Sequence, residues 1–277
     1  MPELPEVETI ARSLNVLLNG RTILSARLLR QRLAPKTPAD IFASILSGRT
    51  INFVHRRGKH ILFDLSGDTT LIVHLRMSGR FSILPAERDD PRFTHALFHL
   101  DTGERLVFDD QRHFGLMKIV TSKDLYETKE LKSLAPEPFS EEFSPRYFQS
   151  VLRSSKRSLK DILLDQTKVC GVGNIYASEA LFAAGVHPEL RADRISRPRA
   201  EKLRQAILTV LQEAIDFAIG RPVDPEDLEG NYFSSEREPS WLVYDRENEP
   251  CRHCNSPILR LKQSGRSTYF CRKCQRR

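Results

Sequence analysis

The sequence lacks the segments that mark membrane or secreted proteins. None of its apolar runs reaches the roughly 18 residues that a membrane-spanning helix needs. Its first residues have neither the basic nor the apolar segment of a secretory signal. Cysteine is scarce, and four of the five cysteines fall in two CxxC pairs near the end. This arrangement indicates metal binding in a reducing compartment, so we expect a cytoplasmic protein that does not contact a membrane.

Acidic residues are absent from the last part of the chain. Residues 251–277 contain eight Lys and Arg and no Asp or Glu, while the whole chain has 43 basic and 36 acidic residues and a net charge of +7. The first 250 residues therefore carry 35 basic and 36 acidic residues, a net charge of −1. A basic segment on a nearly neutral body indicates a polyanionic partner, for which nucleic acid is the usual candidate.

The spacing of apolar residues changes along the chain and predicts successive domains. Helical spacing follows Pro5 and ends at Asn19-Gly20. Short β-rich runs then alternate with turn residues, as is typical of a sandwich or flattened barrel. These runs are 50–55, 60–65, 69–76, 95–100, 104–108 and 115–120. Later the period becomes 3.6, and the expected helices are 145–154, 157–165, 174–184 and 199–219, with Gly220 as the stop.

We therefore predict an α+β fold in which the secondary structure changes from strands to helices at a proline-rich linker. Residues 1–133 form a β-sandwich with a leading helix, and residues 134–145 form the linker. Residues 146–242 form a helical domain, and residues 243–277 form a small metal-binding finger.

The four paired cysteines give the most specific local signal. Two CxxC pairs stand 16 residues apart: Cys251, Cys254, Cys271 and Cys274. Four thiolates at this spacing can bind one zinc ion in a tetrahedron, and because no coordination position stays open, the zinc is structural. The segment 258–270 between the pairs predicts a hairpin that turns near Gly265. Arg266 at its tip either reaches a phosphate or is a solvated turn residue.

Several other residues have two interpretations when only the sequence is considered. Asn174 follows two glycines and suits a helix N-cap, so this helix start either holds a phosphate or is a tight turn between packed helices. Met77 and Phe114 lie in polar loops beside basic residues. They are either wedges that kink DNA or core residues, and without a fold the core interpretation is favoured.

Pro2 is the residue whose chemistry depends on processing. If Met1 is removed, Pro2 becomes a secondary amine that titrates near ~8, so a useful fraction is neutral and nucleophilic at pH 7. Glu3 and Glu6 stand beside it and could move protons. A helix start without any catalytic role explains the same residues. Lys59 is by default a surface charge.

Three segments together resemble the bacterial formamidopyrimidine-DNA glycosylase family, along nearly the whole chain. They are the opening Met-Pro-Glu-Leu-Pro-Glu-Val-Glu-Thr, the run Gly-Val-Gly-Asn-Ile-Tyr-Ala-Ser-Glu at 171–179, and the terminal four-cysteine finger. The resemblance implies a bifunctional base-excision repair enzyme with one structural zinc ion and a helix-two-turn-helix around 145–185. It implies that the protein acts as a monomer on double-stranded DNA containing oxidised or abasic sites.

The resemblance also implies the catalytic roles. The amine of Pro2 attacks the sugar C1′ of a damaged nucleotide and displaces the base, which gives a Schiff base. Glu3 serves as acid and base, and Glu6 contacts the lesion. Lys59 matches a proton donor in β-elimination, and Arg266 matches the finger arginine of δ-elimination and phosphate binding.

DNA contacts are the remaining expectation from the resemblance. Met77, Arg112 and Phe114 match the trio that fills the gap left by an everted nucleotide. The other positions expected to contact DNA are His74, His95, Lys156, Asn174 and Tyr244. Because an enzyme cannot attack a base inside a duplex, the nucleotide must be flipped out, at a cost of a few kcal/mol that a wedge offsets.

The sequence departs from the family pattern in the parts that read the lesion. The usual Gly-Gly-Thr-Thr-Leu loop is replaced by 219–225, and extra residues stand at 234–241. Phe93 replaces a DNA-contacting histidine, and His113 replaces an arginine. Within the resemblance, the Pro-Glu-Leu-Pro opening at 2–5 favours oxidised purines, such as 8-oxoguanine and formamidopyrimidines, as substrates. An endonuclease VIII type for oxidised pyrimidines and a non-catalytic binder of damaged DNA stay open, and a metallohydrolase is the weakest alternative because no open zinc site is visible.

Overall fold

The structure is a computed structural model that describes residues 1–219, 224–226, 228 and 241–277. It divides into two compact units, one containing Met1–Lys132 and the other containing Ser133–Asp216 and residues 241–277. The altered lesion-loop segment falls mostly on 220–223 and 229–240, outside these residues, as does the helix stop predicted at Gly220. Among the helices described, none combines the length and apolar character that crossing a bilayer requires.

The first unit opens with helix α1, Leu4–Leu18. Its first turn is closed by a capping box, in which the carboxylates of Glu3 and Glu6 each accept a hydrogen bond from the other residue's backbone N–H. One apolar face of α1 is buried in the core, including Val7 and Leu14. Helix α1 ends at Leu18, with Asn19 as its cap, as the sequence predicts.

Eight antiparallel strands form the body of this unit: β1 (Thr22–Leu28), β2 (Arg49–Arg57), β3 (His60–Leu65), β4 (Thr69–His74), β5 (Gly79–Leu84), β6 (Thr94–Leu100), β7 (Arg105–Asp110) and β8 (Leu116–Thr121). The order is β5-β7-β6-β1-β2-β3-β4-β8. Strands β1 and β2 pair through only two residues of each strand, whereas β3 and β4 pair over six. This short join is the corner at which the sheet turns.

Aromatic side chains fill the space between the two halves of the sheet. Phe63 of β3 meets Phe81 of β5 with ring centroids 5.6 Å apart, and Phe81 meets Phe108 of β7 at 5.1 Å. Strands β3 and β5 are far apart in the strand order, so the contact between Phe63 and Phe81 shows that the two halves face each other across one core. The expected sandwich is confirmed. Helix α2, Ala39–Leu46, closes this core with Phe42 and is absent from the sequence prediction.

The second unit is helical and carries the finger. Its helices are α3 (Pro145–Arg153), α4 (Leu159–Leu164), α5 (Asn174–Ala184) and α6 (Arg197–Ile219), the last three residues of which belong to the first unit. Ser144 and Ser158 cap α3 and α4 through their side chains. The finger forms the predicted hairpin from β9 (Leu259–Gln263) and β10 (Arg266–Phe270).

Candidate functional site

Pro2 and the two glutamates lie at the start of α1. The backbone N–H of Glu3 donates to Glu6 Oε2 at 2.6 Å, and both glutamates are 2% exposed. Met1 is 43% exposed, while Pro2 beneath it is buried. The capping box therefore fixes two carboxylates within four residues of the proline nitrogen. Two such groups can accept and return a proton at that point.

Helix α1 is bound along its length to strand β2, which leads to Lys59. Glu8 of α1 forms an ion pair with Arg56 of β2, with Oε2 and Nε 2.5 Å apart. Two turns further along α1, Asn15 Oδ1 accepts a hydrogen bond from the Val54 N–H at 2.8 Å. These contacts hold helix α1, which Glu3 caps, against strand β2, which ends two residues before Lys59.

Two neutral histidines lie next to Lys59. His60 of β3 stands opposite His74 of β4, with ring centroids 4.7 Å apart. Burial lowers the pKa of His60 to about 4, and burial together with the neighbouring charges of His60, Arg76 and Lys59 lowers the pKa of His74 to about 2. Lys59 is itself only 6% exposed. The imidazoles are thus uncharged at neutral pH and add no positive charge of their own next to Lys59.

Asp110 connects the loop after β4 with the loop after β7. Its carboxylate accepts hydrogen bonds from the Ser78 hydroxyl at 2.5 Å and from the Gly115 N–H at 2.6 Å. The Arg112 N–H donates to the Ser78 hydroxyl at 3.0 Å. Burial favours the neutral acid, but the hydrogen bonds from Ser78, Gly115 and Arg112 outweigh it, so the pKa of Asp110 is lowered. The charged carboxylate therefore joins both loops.

Met77 and Phe114 project from these two loops. Met77 is 42% exposed and Phe114 is 46% exposed, so the interpretation of both as core residues is wrong. The Arg112 guanidinium lies 5.5 Å from the Phe114 ring centroid. A Cβ atom at Gly79 or Gly115 would lie 2.7 or 2.8 Å from the Phe108 ring, which explains why both loops end with glycine. The sequence favours burial because apolar residues usually are buried; only the loop geometry shows otherwise.

His95 contacts the loop after β7 through His113. Its Nε2 lies 2.8 Å from His113 Nδ1, and the two rings stack with centroids 4.9 Å apart. Burial lowers the pKa of His95, with Asp110 opposing and His113 reinforcing the shift. His113, which replaces the arginine of the family pattern, therefore packs against His95. DNA contact by His95, which is 3% exposed, stays a prediction.

In the second unit, Asn174 does not cap α5, which corrects the sequence prediction. The N-cap is Gly173, and Asn174 is the first residue of the helix. Its Nδ2 donates instead to the Ser267 carbonyl at 3.0 Å, so the side chain is bonded to the hairpin of the finger. Its Oδ1 is buried and has no hydrogen-bond partner within the described part of the chain.

Lys160 is a functional candidate that the sequence reasoning missed. It lies on α4, is fully buried, and its ammonium donates to three neutral oxygens of the second unit. These are the Ser267 carbonyl at 3.1 Å, Thr268 Oγ1 at 2.8 Å and Ser178 Oγ at 3.2 Å. The sequence gives one indication that Lys160 is buried: it directly follows Leu159, which lies on the apolar face of a short helix.

Arg266 stands at the tip of the hairpin, as predicted. The turn before it uses Ser264 and Gly265 in the left-handed region, at φ 47° and 79°. Ser264 Oγ donates to Asp161 Oδ1 at 2.7 Å, which ties the turn to α4. The Arg266 side chain is exposed, whereas the neighbouring Ser267 carbonyl is held. Lys156 is likewise exposed, in the turn between α3 and α4.

Glu179 fixes the chain before the finger. Its carboxylate accepts from the backbone N–H groups of Leu242, Val243 and Tyr244 at 2.8 to 2.9 Å. Burial raises the pKa of Glu179, while these three hydrogen bonds oppose the increase. Tyr244 packs edge-on against Tyr269 of β10, with centroids 5.3 Å apart. Glu179 thus positions a residue for which DNA contact is predicted.

The four cysteine sulfurs of the finger fit one zinc ion. All four lie within 4.8 Å of one another. Cys251 Sγ and Cys274 Sγ are 3.8 Å apart, and Cys254 Sγ and Cys271 Sγ are 3.5 Å apart. A tetrahedron with Zn–S bonds of about 2.3 Å has edges of about 3.8 Å. Because all four positions are protein ligands, this zinc stabilises the finger and offers no place for a substrate.

Comparison with known proteins covers nearly the whole chain. Family models match three successive regions: the formamidopyrimidine-DNA glycosylase N-terminal domain at 1–117, its H2TH domain at 134–221, and the zinc finger found in FPG and IleRS at 248–277. Formamidopyrimidine-DNA glycosylase of Heliobacterium modesticaldum is 43% identical over 282 residues, with 100% of both chains covered. That of Bacillus subtilis is 40% identical over 282 residues, with 99% of both covered.

Solved structures show the same similarity. The Lactococcus lactis enzyme in complex with DNA containing an oxidised pyrimidine superimposes with a TM-score of 0.90 at 31% identity, over 100% of both chains. Its complex with FAPY-dG DNA superimposes with a TM-score of 0.90 at 31% identity, over 99% of this chain and 100% of that chain. Its complex with abasic-site DNA gives 0.88 at 31% identity, with the same coverage.

Proposed function

This chain belongs to the formamidopyrimidine-DNA glycosylase family of bifunctional base-excision repair enzymes, and we propose that the amine of Pro2 is its nucleophile. The observation that carries this assignment is the position of Pro2, buried directly before a capping box of two buried glutamates. The proposed substrate is a nucleotide with an oxidised purine in duplex DNA, and the enzyme acts as a monomer in the bacterial cytoplasm.

The proposed reaction replaces one bond at the sugar C1′ by another. The neutral Pro2 nitrogen forms a bond to C1′ while the glycosidic bond breaks, and the base leaves with the electron pair of that bond. The base takes up a proton, and the nitrogen gives up its own proton, so no net proton is needed in this step. Ring opening of the sugar, with a proton supplied to O4′ by Glu3, leaves an iminium ion. A secondary amine keeps this iminium cationic, which acidifies the proton on C2′.

Strand cleavage follows from that acidity. Removal of the C2′ proton expels the 3′ phosphate by β-elimination, and a second elimination expels the 5′ phosphate. Lys59, buried beside two neutral histidines, is the proposed proton donor. Arg266 is the proposed phosphate ligand, because its side chain is exposed at the end of a hairpin whose Ser267 carbonyl is bonded to Lys160 and Asn174.

The proposed wedge is the set of side chains on the two loops joined by Asp110. Met77, Arg112 and Phe114 are the candidates, since both apolar side chains are exposed on loops that hydrogen bonds hold in place. Extrusion of a nucleotide costs a few kcal/mol, and a rigid wedge offsets this cost without a further loss of entropy. His74, His95, Lys156, Asn174 and Tyr244 are the proposed remaining DNA contacts, and Glu6 is the proposed lesion contact.

Borohydride trapping tests the nucleophile. We would compare an N-terminal fusion protein with the same protein after proteolysis leaves Pro2 as the first residue. On a duplex with 8-oxoguanine opposite cytosine, only the processed protein should give a covalent adduct and a nicked strand. If the fusion protein cut an abasic site by β,δ-elimination at the native rate, the role of Pro2 would be wrong.

Oxidised pyrimidines are the second candidate substrates. The L. lactis enzyme has been solved with DNA that contains such a lesion, and the lesion-loop text of this chain departs from the family pattern. Single-turnover excision of 8-oxoguanine opposite cytosine would be compared with that of thymine glycol opposite adenine. Faster excision of thymine glycol would overturn the purine preference and leave the reaction itself intact.

A further inference from the structure

A basic cavity lies on the finger, away from the hairpin tip. It has a volume of about 620 Å³, and its lining includes Arg272, Arg276 and Arg277 together with His187, Leu259 and Phe270. In the hairpin, Leu259 pairs with Phe270 at one end and Gln263 pairs with Arg266 at the other. Four residues of strand separate these ends, about 13 Å. The cavity is therefore distinct from the phosphate site proposed for Arg266.

Positive charge dominates the cavity. Arg277 pairs with Glu189, Nη2 to Oε2 at 2.8 Å, whereas Arg272 and Arg276 have no ion-pair partner in the described part of the chain. Burial and the charges of Arg277 and Arg272 lower the pKa of His187, against the opposing effect of Glu189. His187 is thus a neutral wall of a cavity whose other charged lining groups are guanidinium ions.

The backbone that carries these arginines is fixed from both sides. The His187 N–H donates to the Arg276 carbonyl at 3.0 Å, and the Arg276 N–H donates to the Gly185 carbonyl at 3.2 Å. Gln275 Oε1 accepts from the Cys271 N–H at 2.8 Å, and its Nε2 donates to the Val186 carbonyl at 2.9 Å. The segment therefore bridges the loop after α5 and a zinc knuckle, so less order has to be gained when an anion binds.

We propose that this cavity is a second phosphate-binding site, which holds backbone phosphates of a nucleic-acid segment other than the duplex at the catalytic groups. Guanidinium groups bind phosphate oxygens in pairs, and three of them around one cavity suit neighbouring phosphates. The site gives one enzyme molecule a contact to two DNA segments. It does not rest on the identity of the excised base. The same chemistry would accept a free oligophosphate, and the test separates the two sources.

The test uses the zinc-loaded protein saturated with an unlabelled short duplex that contains a tetrahydrofuran abasic analogue. A second, fluorescent undamaged duplex is then added, and its binding is followed by anisotropy at several salt concentrations. Tripolyphosphate binding is measured separately by calorimetry. The variant R272Q/R276Q/R277Q is compared with K123Q/R194Q/K202Q, which removes the same charge from exposed positions that do not line this cavity.

We expect the control to bind the second duplex like the wild type and the cavity variant to bind it at least about tenfold more weakly. The salt slope should fall by up to about three, since each phosphate contact contributes about 0.9. Nicking of 8-oxoguanine DNA should be unchanged in both variants, so failure here is distinguishable from failure of the proposed function. Binding of tripolyphosphate but not of the second duplex would assign the site to free phosphates. Equal binding of both probes by the two variants would overturn the proposal.

Discussion

Asp110 is a single buried carboxylate on which two loops depend. Its two oxygens accept from Ser78, Arg112 and Gly115, which belong to different loops. Each hydrogen bond to a charged acceptor contributes about 1.5 to 3 kcal/mol, so this residue outweighs any other local contact described in the loops. The exposed positions of Met77 and Phe114 follow from it.

Asp110→Asn tests this dependence. An amide nitrogen would face N–H donors where the carboxylate now accepts, so we expect the wedge loops to loosen. Excision of 8-oxoguanine in single-turnover assays should fall roughly 10- to 100-fold, which corresponds to the loss of about one such hydrogen bond. Cleavage of a flexible abasic site should fall less, because less has to be extruded. Asp89→Asn, at an exposed position, is the control; an equal loss of both activities in D110N would count against a role through the wedge.

His60 and His74 predict a stability that depends on pH. Both have folded-state pKa values, about 4 and about 2, below the ordinary 6.5. The unfolded chain therefore binds more protons below pH 6.5, and the stability that is full above that pH is lost as the pH falls toward 4. Between pH 6.5 and 5 each histidine contributes a loss of about 2 kcal/mol.

The variant His60→Phe isolates this effect. Its free energy of unfolding in urea should decrease less than that of the wild type when the pH is lowered from 6.5 to 5, by about 2 kcal/mol. His55 is only partly buried and is paired with Asp64, so His55→Phe, the same substitution at a less buried histidine, is the matched control. Parallel pH profiles of wild type and H60F would show that His60 is not held neutral.

Helices α4 and α5 both donate a hydrogen bond to the same carbonyl of the finger. Ser267, next to Arg266, accepts from Lys160 on α4 and from Asn174 on α5. Two donors on separate helices define the direction of the strand that carries the arginine. The helical part of the second unit therefore fixes the orientation of the hairpin.

Lys160→Met should redirect the hairpin without removing the zinc site. Methionine fills the space but leaves the Ser267 carbonyl and the Thr268 hydroxyl short of a donor, at a cost of about 1 to 3 kcal/mol. We expect faster amide exchange in 259–270 and DNA binding weakened about tenfold, with zinc content unchanged. Lys202→Met, on an exposed position of α6, should change neither quantity. Unaltered exchange in K160M would contradict the positioning role.

The elements that could be predicted from the sequence are those with a strong local pattern. The hairpin of the finger and α5 follow from turn residues and apolar spacing, and they lie where expected. Helix α2 has only eight residues and a short apolar repeat, and β5 begins at a glycine that reads as part of a turn. The roles of Lys160 and Asn174 could not be predicted, because their partners are about 90 to 110 residues away in the sequence.

At the scale of the molecule, zinc removal should affect the two units differently. The metal holds Cys251, Cys254, Cys271 and Cys274, whereas the first unit has a core of its own. After chelation we expect the segment 251–277 to lose its exchange protection and DNA binding to be lost, while the thermal transition of the first unit is kept. Metal content would be measured on the same sample. Full affinity in a metal-free sample would exclude the finger from DNA binding.

The cross-links between α1 and β2 have a consequence for heat inactivation. The Glu8–Arg56 ion pair and the Asn15–Val54 hydrogen bond join the proline end of the chain to the strand before Lys59. Neither the proposed nucleophile Pro2 nor the proposed proton donor Lys59 can therefore detach by itself while the sandwich persists. Turnover should rise with temperature up to the onset of melting and then be lost together with the folded protein. There should be no temperature range in which the protein is folded but inactive.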